Sequence, residues 1–227
     1  MYLTKSTQGV LFKIILFISF SVLSIVASAQ NTWQYWDEVE IKYPISSAAT
    51  LGFTWEQRVT DNIGTFALHN YGFALQYTFN DYFRIKVNYL YEREKEKEWH
   101  TENRIEIIPR ISLDLKHGWG CSTNPRFEYR IFKEIEYWRW RQRFEIKKLV
   151  SIYDCNFTPY LSYEWFYVFH THTLNQNWYT VGISKTIKSQ LDVTLYYRMV
   201  SKKTFDGWQN YNAFGTTFSY LFNRNTR

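Results

Sequence analysis

From Trp33 onward the chain alternates. Trp33, Tyr35, Asp37, Val39, Ile41 and Tyr43 share one parity, and Gln34, Trp36, Glu38, Glu40 and Lys42 share the other. Phe83, Ile85, Val87, Tyr89 and Tyr91 stand against Arg84, Lys86, Asn88, Leu90 and Glu92 in the same way. So do Ile105, Ile107, Pro109, Ile111 and Leu113 against Arg104, Glu106, Ile108 and Arg110. A period of two held over such lengths predicts strands, and no segment after the first thirty residues keeps a helical period. Breakers fall between the runs at Pro44–Thr50, Asp61–Gly64, Asn80–Asp81, Asp114–Gly120, Asp154–Asn156 and Lys188–Ser189. More polar stretches at Arg93–Glu98, His170–Asn177 and Ser201–Trp208 read as loops. The strands expected are near 33–43, 50–60, 65–79, 82–92, 99–113, 122–132, 136–150, 157–169, 178–186, 190–200 and 210–222.

Alternation leaves open which face meets water. An eight-stranded barrel just fills its interior with side chains, whereas a wider one encloses space that an apolar core packs poorly. Turning the apolar face outward removes that difficulty. Strands of about 9–11 residues span a bilayer at a tilt. Aromatic residues gather near strand ends, at Trp33, Tyr43, Tyr89, Tyr91, Trp138, Tyr167 and Phe222, as interfacial girdles do. The fold class expected is all-β, an antiparallel transmembrane β-barrel of about 10–12 strands. A soluble two-sheet sandwich is the alternative.

The first thirty residues carry an export signal. Lys5 and Lys13 precede or open the apolar run Ile14–Val26, and Ala27-Ser28-Ala29 forms a small-x-small cleavage site. The domains expected are a secretory signal peptide over 1–29 and an outer-membrane barrel over 30–227. Cleavage removes 29 of 227 residues and two lysines, lowering the formal net charge from +6 to +4. A charge that mild, on an exported chain, does not point to nucleic acid. Two cysteines exclude a disulfide-dense scaffold, and 47 aromatic residues (10 Trp, 19 Tyr, 18 Phe) exclude a disordered chain. Neither GxGxxG nor GxxxxGK[ST] occurs, which argues against a nucleotide enzyme.

Candidate chemistry is thin. Arg139, Arg141 and Arg143, with Lys147, form a cationic stripe on one strand face. Arg126 and Arg130 precede it, and Glu102, Glu106, Glu128, Glu145 and Glu164 supply counter-charges for a ladder along the lumen. Such a ladder either favours anions at a constriction or bridges strands and fills the bore, because buried charges need partners. The structural alternative is favoured. His170-x-His172 offers two imidazoles on one strand face but has no nearby third ligand, so no metal is expected. Ser162 and Ser151 have no histidine at a suggestive spacing.

The run Tyr137-Trp138-Arg139-Trp140-Arg141-Gln142-Arg143-Phe144 is followed by Thr158-Pro159-Tyr160-Leu161-Ser162-Tyr163-Glu164 and then Asn175-Gln176-Asn177. With these segments the chain resembles the uncharacterised bacterial outer-membrane barrel family DUF2490. The resemblance covers most of the chain after the leader. It implies a barrel fold and an outer-membrane address in a Gram-negative bacterium, with no established activity and no catalytic residue to carry over.

The reading is therefore an outer-membrane β-barrel, structural or narrow-pored, with an Arg/Glu-lined lumen and no cofactor. A lipid-acting barrel enzyme and a soluble periplasmic sheet protein are the alternatives. Outer-membrane lipid is the expected partner, with small solutes if the bore conducts, and oligomeric state is unassigned. Short turns usually face the periplasm, which sets Asn80–Asp81 and Lys188–Ser189 there and the three polar loops outside. On that layout the strand at 33–43 runs inward from outside, against a periplasmic N-terminus. Cys121 and Cys155 fall near neighbouring turns, where a disulfide is expected to be feasible.

Overall fold

A strand carries backbone N–H and C=O groups along both edges that need a neighbour on each side, and this chain supplies them by closing on itself. The computed structural model describes residues 33–60, 65–95, 98–153 and 155–222; the expected leader lies outside them. The strands are β1 (Trp33–Pro44), β2 (Ala49–Thr60), β3 (Thr65–Thr78), β4 (Phe83–Lys95), β5 (Trp99–Asp114), β6 (Trp119–Ile131), β7 (Glu136–Lys148), β8 (Val150–Ile152), β9 (Cys155–Val168), β10 (Thr173–Ile187), β11 (Leu191–Thr204) and β12 (Gly207–Leu221). All but β8 form the wall. Each pairs with the next, β7 pairs with β9, and β12 returns to β1. The three-residue β8 pairs only with the start of β9.

Eleven wall strands match the eleven expected. The count being odd, first and last strands run in the same direction, so the closing seam is parallel: Trp33 faces Asn212 and Lys42 faces Leu221. Every other seam is antiparallel, and the barrel is mixed. The strand at 33–43 is a regular wall element with partners on both sides. The chain thus joins the wall at one end, called here the Trp33 end, and leaves it at the other, the Leu221 end.

The polar stretches read as loops are largely strand. β4 runs to Lys95, β10 begins at Thr173, and β11 and β12 meet across Phe205-Asp206. Ladder hydrogen bonds do not require apolar side chains, and polar residues suit the pleat wherever both faces are wet. Connections are consequently short at both ends, and the contrast in loop length on which the orientation rested is absent.

The two parities have opposite environments. Outward side chains include Phe73, Leu161 and Leu195, exposed by 60%, 57% and 53%, whereas inward Glu106 and Glu128 are exposed by 1% and 0%. Around the outside, Leu75, Val87, Ile105, Ile107, Ile183 and Leu195 make an exposed aliphatic band. Exposed aromatics flank it: Trp99, Trp138 and Trp208 toward the Trp33 end, and Tyr43, Tyr82 and Trp119 toward the Leu221 end.

Inside, Trp36, Phe166, Trp178, Val200 and Ala213 form a buried apolar cluster, with Tyr196 and Tyr211 against it. Below it the register places Tyr160 opposite Gly182, Gly182 opposite Tyr196, and Tyr196 opposite Gly215. A Cβ at Gly182 would lie 2.6 Å from the Tyr160 ring, and one at Gly215 would overlap Tyr196 more deeply. These glycines let each phenol lie flat along the wall instead of across the bore.

One seam is weakened. Between β5 and β6 the ladder stops after Ile107–Phe127 and resumes at Ile111–Thr123. The interrupted rungs hold Pro109 and Pro125, which face each other in this register. Neither proline has an N–H to donate.

The expected disulfide is corrected. Cys121 and Cys155 are both free. Cys121 faces Ile146, and Ile146 faces Leu161, six positions along β9 from Cys155. Two strand spacings of about 4.8 Å and six rises of about 3.3 Å separate the pair, well beyond the roughly 7 Å between Cα atoms that a bridge tolerates.

Candidate functional site

Inward positions on β2, β4 to β7 and β9 carry most of the interior charge, and cross-strand rows bring together groups far apart in sequence. Glu102 accepts from Nε of Arg104 at 2.6 Å and from Nε of Arg130 at 2.7 Å. Arg130 makes a second, shorter contact to the same carboxylate through Nη2. Arg104 also reaches Glu92 at 3.1 Å and Glu106 at 3.7 Å. Glu106 takes Asn88 Nδ2 at 2.8 Å and Arg126 at 3.4 Å.

A second network lies beside the first. Glu128 receives Arg139 Nε at 2.5 Å and Arg141 Nη1 at 3.1 Å, and Arg141 extends to Glu164 at 3.0 Å. Arg104, Arg139 and Arg141 have side chains only 6–8% exposed. Glu56, bound to Arg58 at 2.6 Å and Asn70 at 2.9 Å, continues the pattern on β2 and β3.

Eight of the ten residues singled out for a charge ladder fall in the first two networks. Arg143 and Glu145 do not join them. They pair with each other at 3.4 Å nearer the Leu221 end, and Glu145 also meets Arg110 at 3.4 Å. Side chains there are wetter, with Arg110 and Arg143 at 24% and 25% exposure.

The aromatic cluster is tied to the charges by cation–π contacts, which strengthen where water is excluded. The Arg58 guanidinium lies 3.8 Å from the Trp36 ring centre, Arg198 lies 4.4 Å from Trp178, and Arg141 lies 4.5 Å from Phe166. The interior on the Trp33 side is therefore filled by ionic networks and by arginine-capped aromatics.

Two polar cavities are bounded by described residues. One, of about 170 Å³, is bounded by Glu56, Arg104, Arg141, Glu164 and Arg198. The other, of about 240 Å³, is bounded by Glu145, Lys147, Thr158, Ser184 and Thr194. Both touch Glu38, Arg143, Tyr160 and Thr217. Each is smaller than the roughly 300–1,000 Å³ of sites that hold drug-sized molecules.

The remaining candidates separate in space. Ser162 faces inward with Arg143 at 3.4 Å, and Ser151 bonds Asn156 at 2.7 Å; neither meets a histidine. The His170 ring lies tilted against Tyr137, 5.5 Å between centres. His172 has a left-handed backbone (φ 51°) in the β9–β10 turn, and its Nδ1 lies 3.5 Å from the Tyr167 hydroxyl. The two imidazoles thus occupy a turn and not one strand face. No cluster of three metal-ligating side chains exists among the described residues.

Sequence reasoning passed over Glu56, Arg58, Arg84, Glu92, Arg104, Arg110 and Arg198 as site residues. Reading the inward parity on every strand, and not only beside the arginine-rich β7, would have found them.

A family model described as protein of unknown function, DUF2490, matches residues 33–211. The chain belongs to that family. The match runs from the first residue of β1 into β12 and so spans nearly the whole wall. No curated protein matches the chain.

Proposed function

We propose that this member of DUF2490 is an exported outer-membrane barrel of a Gram-negative bacterium, structural or at most narrow-pored, that requires no cofactor. The observation that carries the reading is the inverted burial: carboxylates and guanidinium groups inside, an exposed aliphatic band outside. A monomer in water rarely exposes contiguous apolar patches larger than a few hundred Å², whereas lipid favours such a band flanked by aromatic girdles. Closure removes the unpaired edges that lipid does not tolerate. The filled interior supports little or no conduction, with a weak preference for anions where any current flows.

Fractionation tests the address. Recovery with outer membranes, released only by detergent, is expected; recovery from the periplasm without detergent overturns it. Planar bilayers test the closed interior. A silent or small conductance is expected, and a large, steady, cation-selective one contradicts the reading. Neutralising Arg139, Arg141 and Arg143 together is expected to open or destabilise the barrel.

A further inference from the structure

Arginine stands directly opposite arginine three times on the inner wall. The ladder pairs Arg104 with Arg130 and Arg84 with Arg110, and it pairs Arg126 with Arg141. Like charges so placed repel. Glu102 sits between the first two, accepting from Nε of both. The Arg126–Arg141 pair is flanked by Glu106 on one side and by Glu128 and Glu164 on the other. The Arg84–Arg110 pair has a carboxylate in contact on one side only, Glu145 at Arg110. Arg84 makes no hydrogen bond or contact ion pair with any described residue, and Glu40 and Glu145 act on it only at longer range. Arg110 holds Ser112 and Ser122 at 3.1 Å and reaches Glu145 only at 3.4 Å.

Arg143 continues the row. It shares Glu145 at 3.4 Å, and its Nε is buried without a partner. Asn124, directly opposite Arg143, also has a buried, unpartnered Oδ1. Arg110 and Arg143 thus share Glu145 in the wetter part of the interior, and Arg143, which with Glu145 lines the cavity of about 240 Å³, also stands opposite Glu164.

We propose that Arg84, Arg110 and Arg143 form a binding site for a phosphate-type oxyanion. Guanidinium forks match the oxygens of such a group. Of Arg84 and Arg110 only the latter has a carboxylate in contact, Glu145, and it shares that one with Arg143, so the pair keeps positive charge for an oxyanion. The anion occupies, for Arg84 and Arg110, the role that Glu102 fills for Arg104 and Arg130. The site rests on the interior geometry and is independent of where the barrel resides. The phosphate can be free in solution or borne by a lipid headgroup at the Leu221 rim.

The test uses the full mature chain in detergent at constant ionic strength. Inorganic phosphate or sulfate is expected to raise the melting temperature where chloride does not. Arg84→Gln is expected to weaken calorimetric phosphate affinity by about tenfold, as loss of a charge-assisted contact does. Arg110→Lys keeps the charge, loses the fork and is expected to weaken it several-fold. Lys188→Gln, in the β10–β11 turn, leaves it unchanged. Without phosphate, Arg84→Gln is expected to melt at or above the wild-type temperature, because it relieves repulsion. Should phosphate and sulfate fail while native mass spectrometry shows phosphatidylglycerol retained by the wild type and released by Arg84→Gln, the site stands as one for lipid-borne phosphate. The proposal is overturned if neither form binds, if Arg84→Gln binds phosphate as well as the wild type, or if that variant melts lower in phosphate-free buffer.

Discussion

The two ends of the barrel interior handle charge differently. Toward the Trp33 end, Arg104, Arg130, Arg139 and Arg141 are nearly dry, and each meets a carboxylate at 3.1 Å or closer. Toward the Leu221 end, Arg110 and Arg143 are wetter and share Glu145 at 3.4 Å, and Arg84 has no carboxylate in contact among the described residues. Burial explains the contrast. A dry guanidinium without a counter-ion carries a desolvation penalty of several kcal/mol, so dry rows must be matched. A hydrated one tolerates a missing partner, because water supplies it. The lesson is that strict pairing marks the part of the interior that is structural, and an unmatched row marks the part still able to accept something.

Breaking one carboxylate in each region tests that contrast most strongly. Glu128→Ala leaves Arg139 and Arg141 buried without their shared partner and is expected to cost about 3–5 kcal/mol. Glu145→Ala removes a wetter pair and is expected to cost no more than about 1 kcal/mol. Urea unfolding followed by tryptophan fluorescence measures both. Equal losses would abolish the distinction between the regions. Since Arg139 and Arg141 also stack on Phe166 at 5.1 and 4.5 Å, loss of Glu128 should disturb the aromatic cluster as well.

Steric packing sharpens the comparison at the level between the two regions. Gly215→Val drives a side chain into Tyr196 and is expected to destabilise by about 1–3 kcal/mol, the usual penalty of overpacking. Adding Tyr196→Ala should recover part of the loss. A single variant as stable as the wild type would mean that Tyr196 does not lie along the wall.

The smallest expected effect concerns the β5–β6 seam. Pro109→Ala with Pro125→Ala restores two donors to the interrupted rungs. Each new ladder bond is worth about 1 kcal/mol at most. Slower amide exchange in the peptides covering 108–110 and 124–126 would check it, and unchanged exchange there would show that the strands are held apart by more than missing donors.

Much of this was legible before folding was considered. Period-two runs gave eleven strands within a few residues of those observed at β1, β2, β3 and β5. They erred where polarity was mistaken for a loop, as at Asn175–Asn177, which lie within β10. The arginine stripe on β7 drew attention to Arg139 and Arg141. It also drew in Arg143, whose partners proved to be Glu145 and Ser162 in the wetter region. Arg84 and Arg110 were invisible as a pair because 26 residues separate them and only the ladder sets them opposite. The cysteines misled for the same reason: nearness of turns along the chain says nothing about level on the wall.

Local chemistry alone determined the all-β character and the alternation of faces, and bounded the wall at about 10–12 strands, because side-chain period is a property of a single strand. Register decided the rest. It set which carboxylate meets which guanidinium, made the closing seam parallel, laid Tyr196 over Gly215, and left Arg84 opposite Arg110 with no carboxylate in contact among the described residues. Register is a relation between strands, and shifting one by a single residue turns every side chain on it to the other face. Only the closed wall, with each strand held between two neighbours, removes that freedom.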